Sequence, residues 1–511
     1  MKRRNIINTV TFLATLSAAV PIAAGQDSQN PTTGGQRQQK QERFTDDGIE
    51  QAVRARLRRL DAVGASNVQI EANKGTVTIT GTVNSLMESD RVLEAVSGVR
   101  GVQNVISSFM VEPEKRPDNQ IHQDVRDALA FDAVTSDADL KVEVNNGVVT
   151  LSGKAQIWSE RQLATWLASD VGGVREVRNN ITVAVAPRSD ADIQQSIERR
   201  FTSDPLVSDN IQVKVDGSRV NLSGEVRSLL EKKWAIADAR TLGVSGVDAS
   251  GLRVNPNSQA STTRDAGSRT DEEIAAAIQN AFVYDPRVYS FNSKVEVKDR
   301  VVTLSGEVST LKAKQAAVQL AQNTAGVKEV ENNLSVRPPA LPDAQIVQEL
   351  RSAFHRSLLV DANQIVVKVE KGRATLTGRV DSNFETWAAE DIAARTRGIT
   401  KIENNLGVDR TPVVASTEYY YPWHSSYMPW TYSSAEEPKT DAELLSDVRS
   451  QLLWSPFTDA EDITVSVKDG VVTLTGQVED RREKGAAADN AYQAGAKRVE
   501  NRLSVLAPTG R

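Results

Sequence analysis

The chain has 511 residues, no cysteine and a formal net charge of −6 at pH 7. That length gives several domains rather than one, and the missing thiol excludes disulfides and an anchor on a lipoprotein cysteine. The excess of acid excludes a general nucleic-acid binder, which would carry a basic footprint.

The first predicted element is a secretory signal over residues 1–25. Lys2-Arg3-Arg4 precedes a mostly apolar run from Val10 to Ala24, and Ala23-Ala24-Gly25 suits a cleavage site. These three basic residues stand before Gly25 with no acid among them, so −6 less 3 leaves −9 on the remainder. The predicted location is the periplasm, reached through a cleaved signal. Residues 26–45, rich in Gln, Gly, Asn and Ser, read as a disordered leader. No second apolar stretch is long enough to span a bilayer.

From there one pattern recurs six times. Each copy opens with apolar residues at i, i+4 and i+8, such as Ile121/Val125/Leu129 and Leu444/Val448/Leu452, which place one stripe on a helix. Thr270-x-x-Glu273 and Thr440-x-x-Glu443 fit a capping box at two of the starts. A period-2 strand follows, as in Leu140/Val142/Val144. A turn then leads to a second strand, read as GTVTITG, GVVTLSG, SRVNLSG, RVVTLSG, GRATLTG or GVVTLTG. Gly75, Gly147, Gly372 and Gly470 are the predicted turn glycines, because a tight hairpin needs φ > 0 there. Arg300 stands at that place in the fourth copy, which implies a different turn or local strain. Gly81, Gly153, Gly224, Gly306, Gly378 and Gly476 are predicted to end the second strands. An Ala-rich helix, such as Lys312–Gln322, and a last strand close each copy.

The fold class is therefore α+β: a tandem array of six α-β-β-α-β units, each a three-stranded mixed sheet with two helices on one face. The units are placed at 46–112, 118–184, 189–255, 270–336, 342–408 and 440–506. A linker at 256–269 is expected to be a flexible joint that divides the array three and three. A second linker at 409–439 holds Tyr419, Tyr420, Tyr421, Trp423, Tyr427, Trp430 and Tyr432. Such a run reads as a docking strip for a membrane interface or a partner, or as a loop packed on the fifth or sixth copy.

The helix, the VxVxxGxVTLSGxV hairpin, the helix and then GVxxVxNNLxV resemble the BON domain, most fully over Lys141–Val183, Lys294–Val336 and Thr464–Val505. The first and third copies lack the Asn pair seen at Asn179-Asn180, Asn332-Asn333 and Asn404-Asn405. The resemblance implies a non-catalytic protein of envelope maintenance under osmotic stress that associates with phospholipid membranes. The alternative is a structural adaptor or chaperone-like array that binds envelope proteins, for instance by strand addition to open sheet edges.

The residues offer no enzyme reading. His122, His355 and His424 lie far apart, there is no P-loop and no G-x-S-x-G elbow, and the repeated Ser-Gly and Thr-Gly pairs are explained by hairpin geometry. No cofactor is expected. Arg54, Arg56, Arg58 and Arg59 on the first helix of copy one, with Arg351 and Arg356 in copy five, are the candidate lipid-facing cations; a solvated helix face is the plainer reading of the same residues. Trp158, Trp166, Trp234 and Trp387 fall around the second helices as core or inter-copy packing residues, or as ligand contacts if exposed.

Overall fold

The computed structural model describes residues 44–58, 68–136, 138–184, 188–204, 207, 210–258, 269–285, 287–288, 293–324, 326–338, 340–381, 383–408, 439–478 and 481–505. The signal segment, Arg59 and the aromatic strip lie outside them, as do nearly all of the leader and most of 256–269.

Six first helices run Asp46–Arg58, Asp118–Phe131, Asp190–Ser203, Asp271–Tyr284, Asp343–Arg356 and Asp441–Trp454. All eighteen residues of the i, i+4, i+8 triplets are buried, from Ile49/Val53/Leu57 to Leu444/Val448/Leu452. The stripe is thus the face that each helix lays on its sheet. Both capping boxes form: the Thr270 and Thr440 hydroxyls accept from the Glu273 and Glu443 amides, and each Glu carboxylate answers the cap N–H.

In every unit the two hairpin strands pair antiparallel, for example Leu140–Asn145 with Val148–Ala155. The closing strand, here Glu176–Val183, pairs parallel to the second strand, which becomes the centre of the sheet. The second helix makes the crossover: Leu86–Ser97, Trp158–Ser169, Leu229–Asp238, Leu311–Asn323, Asn383–Arg395 and Arg481–Gln493. In unit 6 the closing strand is split into Arg498–Asn501 and Ser504–Val505. The break follows Asn501, whose carboxamide oxygen accepts from the Leu503 amide.

The first residue of the Asn pair has the same task elsewhere. The Oδ1 atoms of Asn179, Asn332 and Asn404 accept from the amide two residues on, at 3.0, 3.1 and 3.3 Å. This is Asx-turn chemistry inside a strand. In unit 3, Asp248 substitutes for it and accepts from Ser250, at 2.9 Å.

The hairpin turns use two consecutive positive-φ residues, as Asn146 (51°) and Gly147 (73°) do. Unit 4 keeps this turn with Asp299 at 52° and Arg300 at 66°, so the second option holds there: the same turn, with strain. The six glycines expected to end the second strands lie instead two residues inside them; the strands continue to Val83, Ala155, Val226, Val308, Val380 and Val478. Their φ values lie between 122° and 141°. A Cβ at Gly153, Gly224, Gly378 or Gly476 would overlap the carbonyl oxygen of Asp139, Asn210, Gln364 or Asp462. The glycine is required where the incoming strand's backbone crosses this close.

The array does not part three and three. Units 1, 3 and 6 are in mutual contact. The Lys233 ammonium of unit 3 donates to Ser97 of unit 1 at 2.7 Å. Trp234 of unit 3 stacks on Phe457 of unit 6 at 5.3 Å. The Arg100 amide and guanidinium of unit 1 donate to the Trp454 and Thr458 carbonyls of unit 6, at 2.8 and 2.6 Å. Unit 5 joins units 2 and 4: Leu358 donates to the Asp170 carbonyl at 3.1 Å, and Asp391 meets Lys312 at 2.5 Å. A small unit has too little core to be robust alone, and these contacts bury aromatic surface that one unit cannot cover.

Candidate binding cleft and unit junctions

One device recurs in all six units and is structural. The first helix begins with Asp46, Asp118, Asp190, Asp271, Asp343 or Asp441. Each carboxylate accepts from both amides of the hairpin turn. Asp118, for example, takes Asn146 N at 2.7 Å and Gly147 N at 2.9 Å. The other five bond the same way at 2.7 to 3.1 Å. The clasp holds the left-handed turn and places a negative charge at a helix N-terminus. Aligning the six copies on their glycines would have revealed these aspartates.

Charges gather at two junctions. Asp391 of unit 5 is buried between Lys312 of unit 4, at 2.5 Å, and Arg395 of its own helix, at 2.6 Å. Burial alone would raise this carboxyl; Arg395 and Lys312 outweigh it and hold it below its ordinary range. The Arg395 guanidinium also lies 4.5 Å from the Trp166 ring centroid of unit 2. At the other junction Glu94 of unit 1 faces Lys233 of unit 3. Burial pushes the Glu94 carboxyl up to about 7, against the attraction of Lys233, with Asp90 adding to the rise and Arg56 and Arg91 opposing it.

A cleft of about 230 Å³ opens between units 2, 3 and 4. Its walls come from the start of the Trp158–Ser169 helix, the end of the Leu229–Asp238 helix with residues 240–244 after it, and Tyr284. Trp158 is fixed by its indole N–H, which donates to the Val244 carbonyl at 3.1 Å. The guanidinium carbons of Arg161 and Arg240 lie 5.2 and 5.4 Å from that indole centroid. Arg200 lies 4.8 Å from the Tyr284 ring centroid and pairs with Asp238 at 2.5 Å. Sequence reasoning missed this cleft. Its residues occupy unlike positions in three different copies, so the repeat gives no signal for it.

The predicted lipid-facing cations are not brought together. Arg56 is a correction: it is buried, and its Nη1 donates to the Gly98 carbonyl at 3.3 Å. Arg54 is exposed but donates to the Ile70 carbonyl at 2.7 Å and lies 3.8 Å from Glu50. Arg356 is half-buried against Phe131 of unit 2, at 5.6 Å, facing Asp124, Asp127, Asp170 and Glu349. Arg58 and Arg351 stand exposed. The tryptophans on second helices serve unit junctions: Trp234 is 1% exposed, and Trp387 packs against the cores of units 2 and 5. Among the described residues no group of three or more His, Asp or Glu side chains could hold a metal ion.

These observations define an array of small α+β modules with charged junctions and a basic cleft between modules. The BON domain profile matches residues 45–113, 117–185, 189–256, 270–338, 342–410 and 440–507, and the chain belongs to the BON-domain family. It is 26% identical to osmotically-inducible protein Y of Escherichia coli over 196 residues, which are 35% of this chain and 98% of that protein. It is 28% identical to the outer membrane lipoprotein DolP of Haemophilus influenzae over 151 residues, which are 28% of this chain and 77% of that one. A solved structure of CdsD, a structural protein of the type III secretion system of Chlamydia trachomatis, aligns over 43% of this chain and 91% of its own, at 16% identity. The TM-score of that alignment is 0.12.

Proposed function

We propose that this is a non-catalytic binding protein of the bacterial cell envelope, located in the periplasm, that docks on anionic phospholipid surfaces under osmotic stress. The observation that carries the reading is the sixfold BON match, with an osmotically inducible protein and an outer-membrane lipoprotein among the relatives. Docking falls to exposed cations such as Arg58 and Arg351. Each contact is weak alone, and several on one chain reach useful avidity if they engage together. The residues 1–25 supply the export signal in this reading.

Flotation of the chain from Gln26 with neutral and anionic vesicles tests it. Flotation with anionic vesicles alone, reduced by high salt and by the Arg58→Ala/Arg351→Ala double variant, is expected. No flotation in any condition would remove membrane docking and leave the protein-binding adaptor in its place.

A further inference from the structure

We propose that the cleft between units 2, 3 and 4 is a binding site for a small organic phosphate of about glycerophosphate size. Its described walls carry three cations, Arg200, Lys233 and Arg240, and no carboxylate. Two of the three are already engaged. Arg200 is neutralised by Asp238, and Lys233 donates to Ser97 and faces Asp90 and Glu94. Arg240 stacks over Trp158, and its side chain has no hydrogen bond or ion pair among the described residues. A like charge, Arg161, shares the Trp158 ring with it and acts against its charge, and the Arg161 guanidinium is spent on the Oδ1 and carbonyl of Asn179 at 3.2 and 2.9 Å.

A second, independent observation points into the same space. Ser159 and Thr241 both line the cleft and are 3% and 1% exposed. Neither hydroxyl has a hydrogen-bond partner. Buried hydroxyls are normally satisfied, because leaving one unpaired costs about 1–3 kcal/mol. Two orphan O–H donors beside an uncompensated guanidinium form a donor set for a tetrahedral oxyanion. A guanidinium fork matches phosphate oxygens with two parallel bonds. The space exceeds what a bare phosphate needs, and the Trp158 ring, Ile236 and Val183 offer apolar wall for a short carbon skeleton.

The site is distinct from the exposed cations assigned to membrane docking, so the two readings fail separately. The test is calorimetric titration of the full chain with glycerol 3-phosphate and with inorganic phosphate, followed by Trp fluorescence. Saturable binding at one site per chain is expected. Arg240→Ala should weaken it at least about tenfold, Arg240→Lys less, and Ser159→Ala/Thr241→Val should weaken it further, with the exposed Lys401→Ala of unit 5, outside the cleft, unchanged. Vesicles of phosphatidylglycerol form the second arm. Binding there that is lost in Arg240→Ala, without binding of the soluble compounds, identifies the phosphate as a lipid headgroup. Absence of binding in both arms, or binding indifferent to Arg240→Ala, overturns the proposal. Arg240 keeps solvent access, so its removal leaves the core intact and the result readable.

Discussion

The Asp391 carboxylate of unit 5 lies 2.5 Å from the Lys312 ammonium of unit 4, with both side chains buried. Arg395 completes the pair from one helical turn away and carries the contact on to Trp166 of unit 2. Three units therefore depend on one anion. Removing one partner of a buried pair leaves the rest charged and unpaired, at a cost of about 3–5 kcal/mol. Asp391→Ala is expected to undock unit 5 from unit 4. Amide exchange in the Leu311–Asn323 and Asn383–Arg395 helices should rise together, with the hairpins of unit 5 less affected. Unchanged exchange would show that apolar packing alone holds the junction.

The clasp from helix to turn should act within a unit. In Asp118→Ala the amides of Asn146 and Gly147 lose a shared charged acceptor, while the hairpin register stays in place. A loss of about 1–3 kcal/mol in unit 2 is expected. The two turn amides should lose protection first, and Asp118→Asn, which keeps one acceptor oxygen, should lose less.

Much of this architecture was legible because it repeats. The helix stripes, the hairpins and the two capping boxes are local patterns, and local patterns survive in one sequence. The glycines were legible as a signature but not as a cause, since the carbonyl that excludes a side chain from Gly153 comes from Asp139, where the chain enters the opposite strand. The contacts between units were not legible. Asp391 and Glu94 fall at the same place after their unit's glycine, Gly378 or Gly81, yet their neighbours come from different copies. Arg56 looked like part of a basic face, but its side chain turns inward to Gly98 across the unit.

Two turns allow strain to be separated from bonding. Ser218 of unit 3 holds φ at 65°, and among the described residues its side chain makes no hydrogen bond. Ser218→Gly should raise the stability of unit 3 by roughly 0.5–1 kcal/mol, the relief of a left-handed residue less the added freedom of the unfolded glycine. Arg300 of unit 4 has the same φ class, but its Nε donates to the Gly326 carbonyl at 2.7 Å. Arg300→Gly should be close to neutral, because the lost bond offsets the relieved strain. Parallel chemical denaturation of both variants checks the difference; equal gains would show that the Arg300 bond contributes nothing.

The junction between units 1 and 3 should tighten in mild acid. Burial raises Glu94 to about 7, above its ordinary value of 4.5, and its Oε1 has no hydrogen-bond partner. The docked state therefore binds a proton more tightly than the undocked or unfolded state does. Stability from this group falls as pH rises through the window between 4.5 and about 7, and the full penalty stands above that window. Asp391 behaves oppositely, because Arg395 and Lys312 touch it directly and outweigh its burial, whereas at Glu94 burial outweighs the attraction of Lys233. Glu94→Gln removes the charge without removing the side chain. The variant should be more stable than the parent at pH 8, and the gap should close by about pH 5, where the parent is largely protonated. Thermal midpoints of both chains across this range check the sign. A variant weaker than the parent at pH 8 would mean that Glu94 is ionised there and held by Lys233, and the junction would then loosen in acid.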